Sequence, residues 1–350
     1  MKAKIEDIQI AAITAYLPKE KVVLTSLGEL FGNKEVENII NATGIEQVHI
    51  AGKGETSSDM CFEAANYLIN RENLDRAKIG GLVFVSQTPD YILPATSVIL
   101  QDRLGLSKNT VCLDIHYGCS GYIYGLFQAA LWINIGACEQ VLVLAGDTTS
   151  SMIHGQDKSL RMVFGDSGTA TLVTKGNTTM GISINSDGSG YDRLIVPAGG
   201  FRTPKSEATK ELIYDEDKNG RTSESLFMDG MAIFNFAIFN VHKDINTLIE
   251  EVNWNKDDVK LYALHQANSF MLNYIRKKLK VEDYKVPMNV RNYGNTGPAT
   301  IPLLLADLYH LSDQILDKVI LSGFGVGLSW GSIACNLTKT KFYEPLNKNM

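Results

Sequence analysis

Three side chains are candidates for chemistry in this chain: Cys119 in DIHYGCSGYIYG, His265 in ALHQAN and Asn295 in RNYGNTG. At a cysteine the nucleophile is the thiolate, not the thiol. Cys119 is flanked by Gly118 and by Ser120-Gly121, between the apolar runs VCLDI and YIYGLFQAALWI. A strand followed by a helix puts the sulfur at or near a helix N-terminus. Free backbone N–H groups and the helix dipole favour a thiolate there. The glycines let a thioester come close. A neutral imidazole and a carboxamide each offer an N–H donor, the equipment for stabilising an enolate beside an acylated cysteine. Removing one such donor costs about 3 kcal/mol of transition-state stabilisation. Taken singly, each residue has an ordinary reading: a core cysteine, a strand-end histidine, a turn or capping asparagine. The remaining cysteines, Cys61, Cys112, Cys138 and Cys335, read as small core residues. Cys112, His116 and Cys119 give only three ligands at a spacing unlike zinc sites, so no metal is expected.

The elements that must position these residues alternate between short β-branched runs and longer helical ones. IGGLVFVSQ, TVCLDIHY and EQVLVLAGD read as buried, mostly parallel strands, with helices over TSVILQDRLG and after Cys119. The second half repeats this order. DVKLYALHQ matches GGLVFVSQ, VPMNVRNYGNTG matches VCLDIHYGCSG, and KVILSGFG matches QVLVLAGD, at an offset of about 176 to 179 residues. Three ordered matches point to a duplication, with an N-terminal half over 1–176 and a C-terminal half over 177–350. Cys119 and Asn295 then occupy equivalent corners. Residues about 187–225 are rich in Gly, Pro and charge and read as an irregular insertion, a cap over the site or a surface excursion.

Bulk properties narrow the function classes. The chain has 350 residues, 45% hydrophobic and 21% charged, which suits a large globular core. A net charge of -6 argues against a nucleic-acid partner. No apolar run is long enough to span a bilayer, and the N-terminus reads as a strand rather than a signal peptide. Five cysteines, an odd and sparse count, suit reduced thiols in a cytoplasm.

Several longer motifs occur in order: GCSG before an apolar helix, FGDSGTA from Phe164 to Ala170, HQAN, YGNT followed by IP, and GFGVGLSWGS. Together they resemble the β-ketoacyl-acyl carrier protein synthase III family of thiolase-fold condensing enzymes, from about residue 5 to 338. The resemblance implies an α/β fold, a duplicated thiolase-like α/β/α/β/α sandwich of two pseudo-symmetric halves, assembled as a homodimer. It implies an acyltransferase in which Cys119 accepts a primer acyl group. Malonyl-acyl carrier protein then loses CO2 beside His265 and Asn295, and the carbanion attacks acyl-Cys119 to give a β-ketoacyl product. The backbone N–H of Cys119 and one from the loop Gly325, Val326 and Gly327 would hold the oxyanion. Substrate contacts are implied at Leu93, Lys158 and Asn268, and docking of acyl carrier protein at Arg276, Lys277 and Lys278. No cofactor is implied; the acyl thioester, on coenzyme A or on acyl carrier protein, is a substrate.

The sequence also departs from the family pattern. Asn38 and Ala42 stand where a tryptophan and an arginine grip coenzyme A, and Lys158 replaces a second arginine. Stacking surface is lost that lysine does not replace, which favours a carrier-bound primer. Leu93 stands for a gating phenylalanine, Phe270 for a docking arginine, Val326 for a glycine of the loop, and Gly297-Pro298-Ala299 for Ser-Ala-Ala. Three rivals share parts of the pattern: an acyltransferase that moves the acyl group to an alcohol or amine without decarboxylation, a papain-like cysteine hydrolase, and a non-catalytic carrier-binding subunit.

Overall fold

The computed structural model describes residues 1–347. The nine principal strands are β1 (Lys2–Leu17), β2 (Ile79–Val85), β3 (Val111–Ile115), β4 (Gln140–Asp147), β5 (Ser167–Lys175), β6 (Thr178–Ser186), β7 (Leu261–Leu264), β8 (Val319–Gly325) and β9 (Ser329–Cys335). They follow one another in space as β7-β8-β9-β6-β1-β5-β4-β2-β3. Outward from the β1·β6 pair, each side places its last strand next, then its penultimate strand, then its second. β2 runs parallel to β3 and β4, and β7 runs parallel to β8, as buried crossover strands do.

The principal helices are α1 (Asn33–Thr43), α2 (Ser57–Arg71), α3 (Thr96–Arg103), α4 (Gly121–Asn134), α5 (Gly230–Glu251), α6 (Ser269–Leu279) and α7 (Thr300–Tyr309). α4 and α7 are apolar nearly all round, which predicts burial on every side. They form the middle layer, where Ile123, Leu126, Leu304 and Leu305 join Val83 and Val143 from one half-sheet and Leu321 and Ile333 from the other. α2 and α3 cover the outer face of the first half, and α5 and α6 that of the second, each over its own apolar cluster. This is the thiolase-like five-layer sandwich.

One matched segment behaves differently. The counterpart of β3, around Val286–Asn289, is not a strand. Pro287 removes a ladder donor, and the Asn289 N–H is satisfied by Gln266 Oε1 instead. The stretch over 187–225 forms only two-residue strands and short turns. It is pinned by Arg221, whose guanidinium pairs with the fully buried Asp157 and with Asp215 at 2.9 Å.

Candidate active site

The nucleophile corner is built by close approach. α4 begins at Gly121, so Cys119 lies just ahead of the helix. Its neighbour Ser120 does not cap that helix. The Ser120 hydroxyl instead meets Ser329 Oγ at 2.6 Å, and Ser329 donates to Val326 O at 2.6 Å. This chain of hydroxyls clamps the Gly325–Gly327 loop against Cys119. A Cβ on Gly325 would stand 2.9 Å from Cys119 Cβ and 3.0 Å from its sulfur, so only glycine fits. The N–H groups of Cys119 and Val326 both act on the sulfur.

The expectation of a resting thiolate is not met. Burial, reinforced by the nearby Asp147 carboxylate, pushes the Cys119 thiol up to about 12, and the two N–H groups only partly oppose this. Cys119 is 7% exposed, and without water a charged sulfur is unfavourable whatever the helix contributes. In the resting site Cys119 is a thiol.

Asn295 is held from three sides. Its N–H donates to Val163 O at 2.8 Å, and its carbonyl accepts from Gly165 N–H at 3.0 Å, within the FGDSG segment. Its side-chain oxygen accepts from Gly297 N–H at 3.0 Å. A backbone donor there requires oxygen on that side, so the amide NH2 faces away and is free to donate. Gly297 has φ 60°, and a Cβ there would come 2.8 Å from Asp147 Oδ2. This explains why glycine occupies the first position of Gly297-Pro298-Ala299.

His265 directly follows β7 and is buried, its ring edge-on to Phe324 with centroids 5.3 Å apart. Its Nδ1 lies 2.7 Å from Thr300 Oγ1, which in turn lies 3.1 Å from Gly297 O. Burial drops the imidazole to about 3, so it is neutral at physiological pH. Cys119, His265 and Asn295 all line one cavity of about 340 Å3, together with Asn268, Phe270 and Phe234. Asn268 caps α6, its Oδ1 accepting from Met271 N–H at 2.8 Å.

A second cavity of about 380 Å3 also reaches Cys119. Tyr191, Leu194, Ile195 and Val196 of the insertion line it, with Leu226 just beyond, so the insertion does cap the site. Val326 and Gly327 line this cavity as well. Among the described residues no His, Cys, Asp and Glu cluster can hold a metal ion.

Other expected positions fall elsewhere. Lys158 lines neither cavity and pairs with Glu35 at 3.0 Å. Leu93 is exposed and lines neither cavity within its own chain. Arg276 is half-buried and tied to Asp283, whereas Lys277 and Lys278 are exposed on α6. The basic face is therefore two lysines rather than three cations. Asp147, Thr300 and Gln87 were not among the sequence candidates. Asp147 ends β4 as Gly325 ends β8, and that matched pair of strand ends was the available signal.

Comparison with known proteins agrees with this geometry. Residues 113–188 match the family model for 3-oxoacyl-acyl-carrier-protein (ACP) synthase III, and residues 249–337 match the model for its C-terminal part. The chain is 33% identical to a β-ketoacyl-acyl carrier protein synthase III of Lactococcus lactis over 94% of this chain and 99% of that one. It is 33% identical to one of Streptococcus agalactiae, covering 93% and 98%. The crystal structure of a 3-oxoacyl-acyl carrier protein synthase of Burkholderia xenovorans superposes with a TM-score of 0.93 at 34% identity, covering 99% of each chain. The chain belongs to the β-ketoacyl-acyl carrier protein synthase III family.

Proposed function

We propose how this site carries out the family's reaction, the decarboxylative condensation of an acyl primer with malonyl-acyl carrier protein. The Cys119 thiol attacks the primer thioester; the acyl group moves to sulfur, and the thiol proton leaves with the departing carrier thiol. The malonyl thioester then enters the cavity of His265 and Asn295. Gly297 O already accepts from the Thr300 backbone N–H, so the Thr300 hydroxyl turns its single proton from that carbonyl to His265 Nδ1, which leaves Nε2–H as a donor. His265 Nε2–H and Asn295 NH2 hold the thioester oxygen as CO2 leaves and an enolate forms. The carbanion attacks the acyl-Cys119 carbonyl, whose oxyanion is held by the Cys119 and Val326 N–H groups. The Cys119 thiolate departs and takes a proton from water. No cofactor enters these steps.

The observation that carries this reading is the shared cavity, with the carboxamide oxygen of Asn295 occupied so that its NH2 is left to donate. The thiolase-like fold excludes a papain-like hydrolase. Family membership and two preserved donors disfavour acyl transfer without decarboxylation, and a thiol that lines both cavities disfavours a non-catalytic subunit. With Lys158 held by Glu35 and both Asn38 and Ala42 exposed, a carrier-bound primer fits better than a coenzyme A primer. Lys277 and Lys278 would meet the acidic carrier protein, one turn beyond exposed Tyr274 and two beyond exposed Phe270.

A homodimer completes the reading. β3 is the edge strand of the first half, and Asp114 on it anchors Thr96 and Ser97, next to exposed Tyr91, Ile92 and Leu93. An open edge flanked by apolar side chains is a pairing surface. Five unpaired cysteines suit a reducing cytoplasm. Intact-mass analysis after exposure to acyl thioesters tests the core of this reading. Cys119→Ala is expected to lose the acyl adduct, and His265→Ala to keep the adduct yet lose condensation. Normal condensation by His265→Ala would remove the role assigned to that histidine.

A further inference from the structure

The cavity on the far side of Cys119 is not built for a plain alkyl chain. Among apolar residues such as Met152, Leu194 and Leu226 it presents Gln87, His116, Thr149 and Tyr191. The Gln87 backbone N–H is bound to Asp147 at 2.7 Å, but among the described residues its carboxamide has no hydrogen-bond partner. The same is true of the His116 imidazole and of the Thr149 and Tyr191 hydroxyls. Thr149 is only 5% exposed, so what remains open of it faces the cavity it lines. His116 and Tyr191 are exposed at the mouth, but an alkyl chain filling this space would strip water from half-buried Gln87 and buried Thr149 and offer them nothing in return.

The chemistry of the lining narrows the ligand. It holds no Lys, Arg, Asp or Glu, so a carboxylate or ammonium on the chain would lack a counter-ion. Gln87, Thr149 and Tyr191 each donate and accept, and a hydroxyl does the same. Position is set by Gln87, whose carboxamide lies so close to Gly118 that a Cβ there would collide with it. Gly118 adjoins the nucleophile, so the polar substituent belongs near the thioester end of the chain. Tyr191, Leu194, Ile195 and Val196 of the insertion line the cavity around it.

We propose that the primer is a short hydroxyacyl group, its hydroxyl on one of the first carbons after the thioester carbonyl and held by Gln87 and Thr149. This rests on Cys119 being the residue that is acylated. Equal amounts of 3-hydroxybutyryl- and butyryl-acyl carrier protein are offered together, and the two Cys119 adducts are counted by intact mass. The hydroxyacyl adduct is expected to form at least about tenfold faster. Gln87→Leu and, separately, Thr149→Val are each expected to narrow that preference; either variant suffices if the other does not fold. Equal labelling, or a butyryl excess, in the wild-type protein overturns the proposal while leaving Cys119 as nucleophile. Absence of any adduct from either thioester overturns the assignment of Cys119, and the proposal with it.

Discussion

Thr300→Val isolates the tautomer of His265. Valine nearly matches threonine in shape, and Thr300 is 2% exposed, so the main change is loss of the hydroxyl 2.7 Å from Nδ1. In the wild type that hydroxyl donates to Nδ1 and keeps the proton on Nε2. Without it, Nδ1 is buried with no partner, and the ring is free to carry its proton on either nitrogen. Complete loss of an enolate donor would slow the step by about 100- to 1,000-fold. Because the Nε2–H form remains partly populated, a drop of roughly 10- to 100-fold in decarboxylation is expected, about 1.4 to 2.7 kcal/mol. Primer loading should be spared, since Thr300 lines neither cavity. The assay pairs CO2 release from labelled malonyl-acyl carrier protein with intact-mass acylation of Cys119. Thr300→Ser should restore decarboxylation to within about threefold, because it returns the hydroxyl. A folded Thr300→Val protein that decarboxylates at the wild-type rate, or that loses loading in parallel, would refute the reasoning.

Asp147 gives a pH signature. Burial raises its carboxyl from 3.8 to about 7, so the folded state binds more protons than the unfolded state across that range. Its stabilising contribution is complete below about pH 4 and is lost as pH rises through about 7, roughly 4 kcal/mol in all. Asp147→Asn should flatten the stability profile over this window in denaturant melts; an unchanged slope contradicts the assignment. His265 acts in the opposite sense, its ring lowered from 6.5 to about 3, so its contribution is lost as pH falls through that range. Lys277→Glu with Lys278→Glu should raise KM for malonyl-acyl carrier protein roughly tenfold at low salt, with kcat nearly unchanged and the effect fading at high salt. A KM that does not move would place docking elsewhere. Sedimentation should give a dimer of the 38.5 kDa chain, and Ile92→Glu with Leu93→Glu should shift it to monomer; a wild-type monomer contradicts the proposed interface.

Much of this architecture follows from local pattern. Alternating buried runs, an all-round apolar helix after Cys119 and a matched second half were enough to place Cys119 and Asn295 on equivalent corners, with His265 at a strand end. Periodicity records which way side chains face along a strand or helix, so a duplicated pattern implies a duplicated layout. The cap over 187–225 could be read the same way, because a stretch too rich in Gly, Pro and charge has no periodic face to bury.

What the pattern does not carry is the company each side chain keeps. The helix end beside Cys119 suggested a thiolate, yet desolvation and the carboxylate of Asp147 hold it as a thiol. Lys158 was expected at the substrate and Arg276 at the carrier protein, but Glu35 and Asp283 engage them. Pro287 and Gln266 together cancelled a strand that the repeat implied. Thr300 and Gln87 became part of the site only when folding brought them to His265 and Gly118. Charge state, ion pairing and pocket polarity depend on distance and on the exclusion of water between segments far apart in the chain, and those are settled only when the layers close on one another.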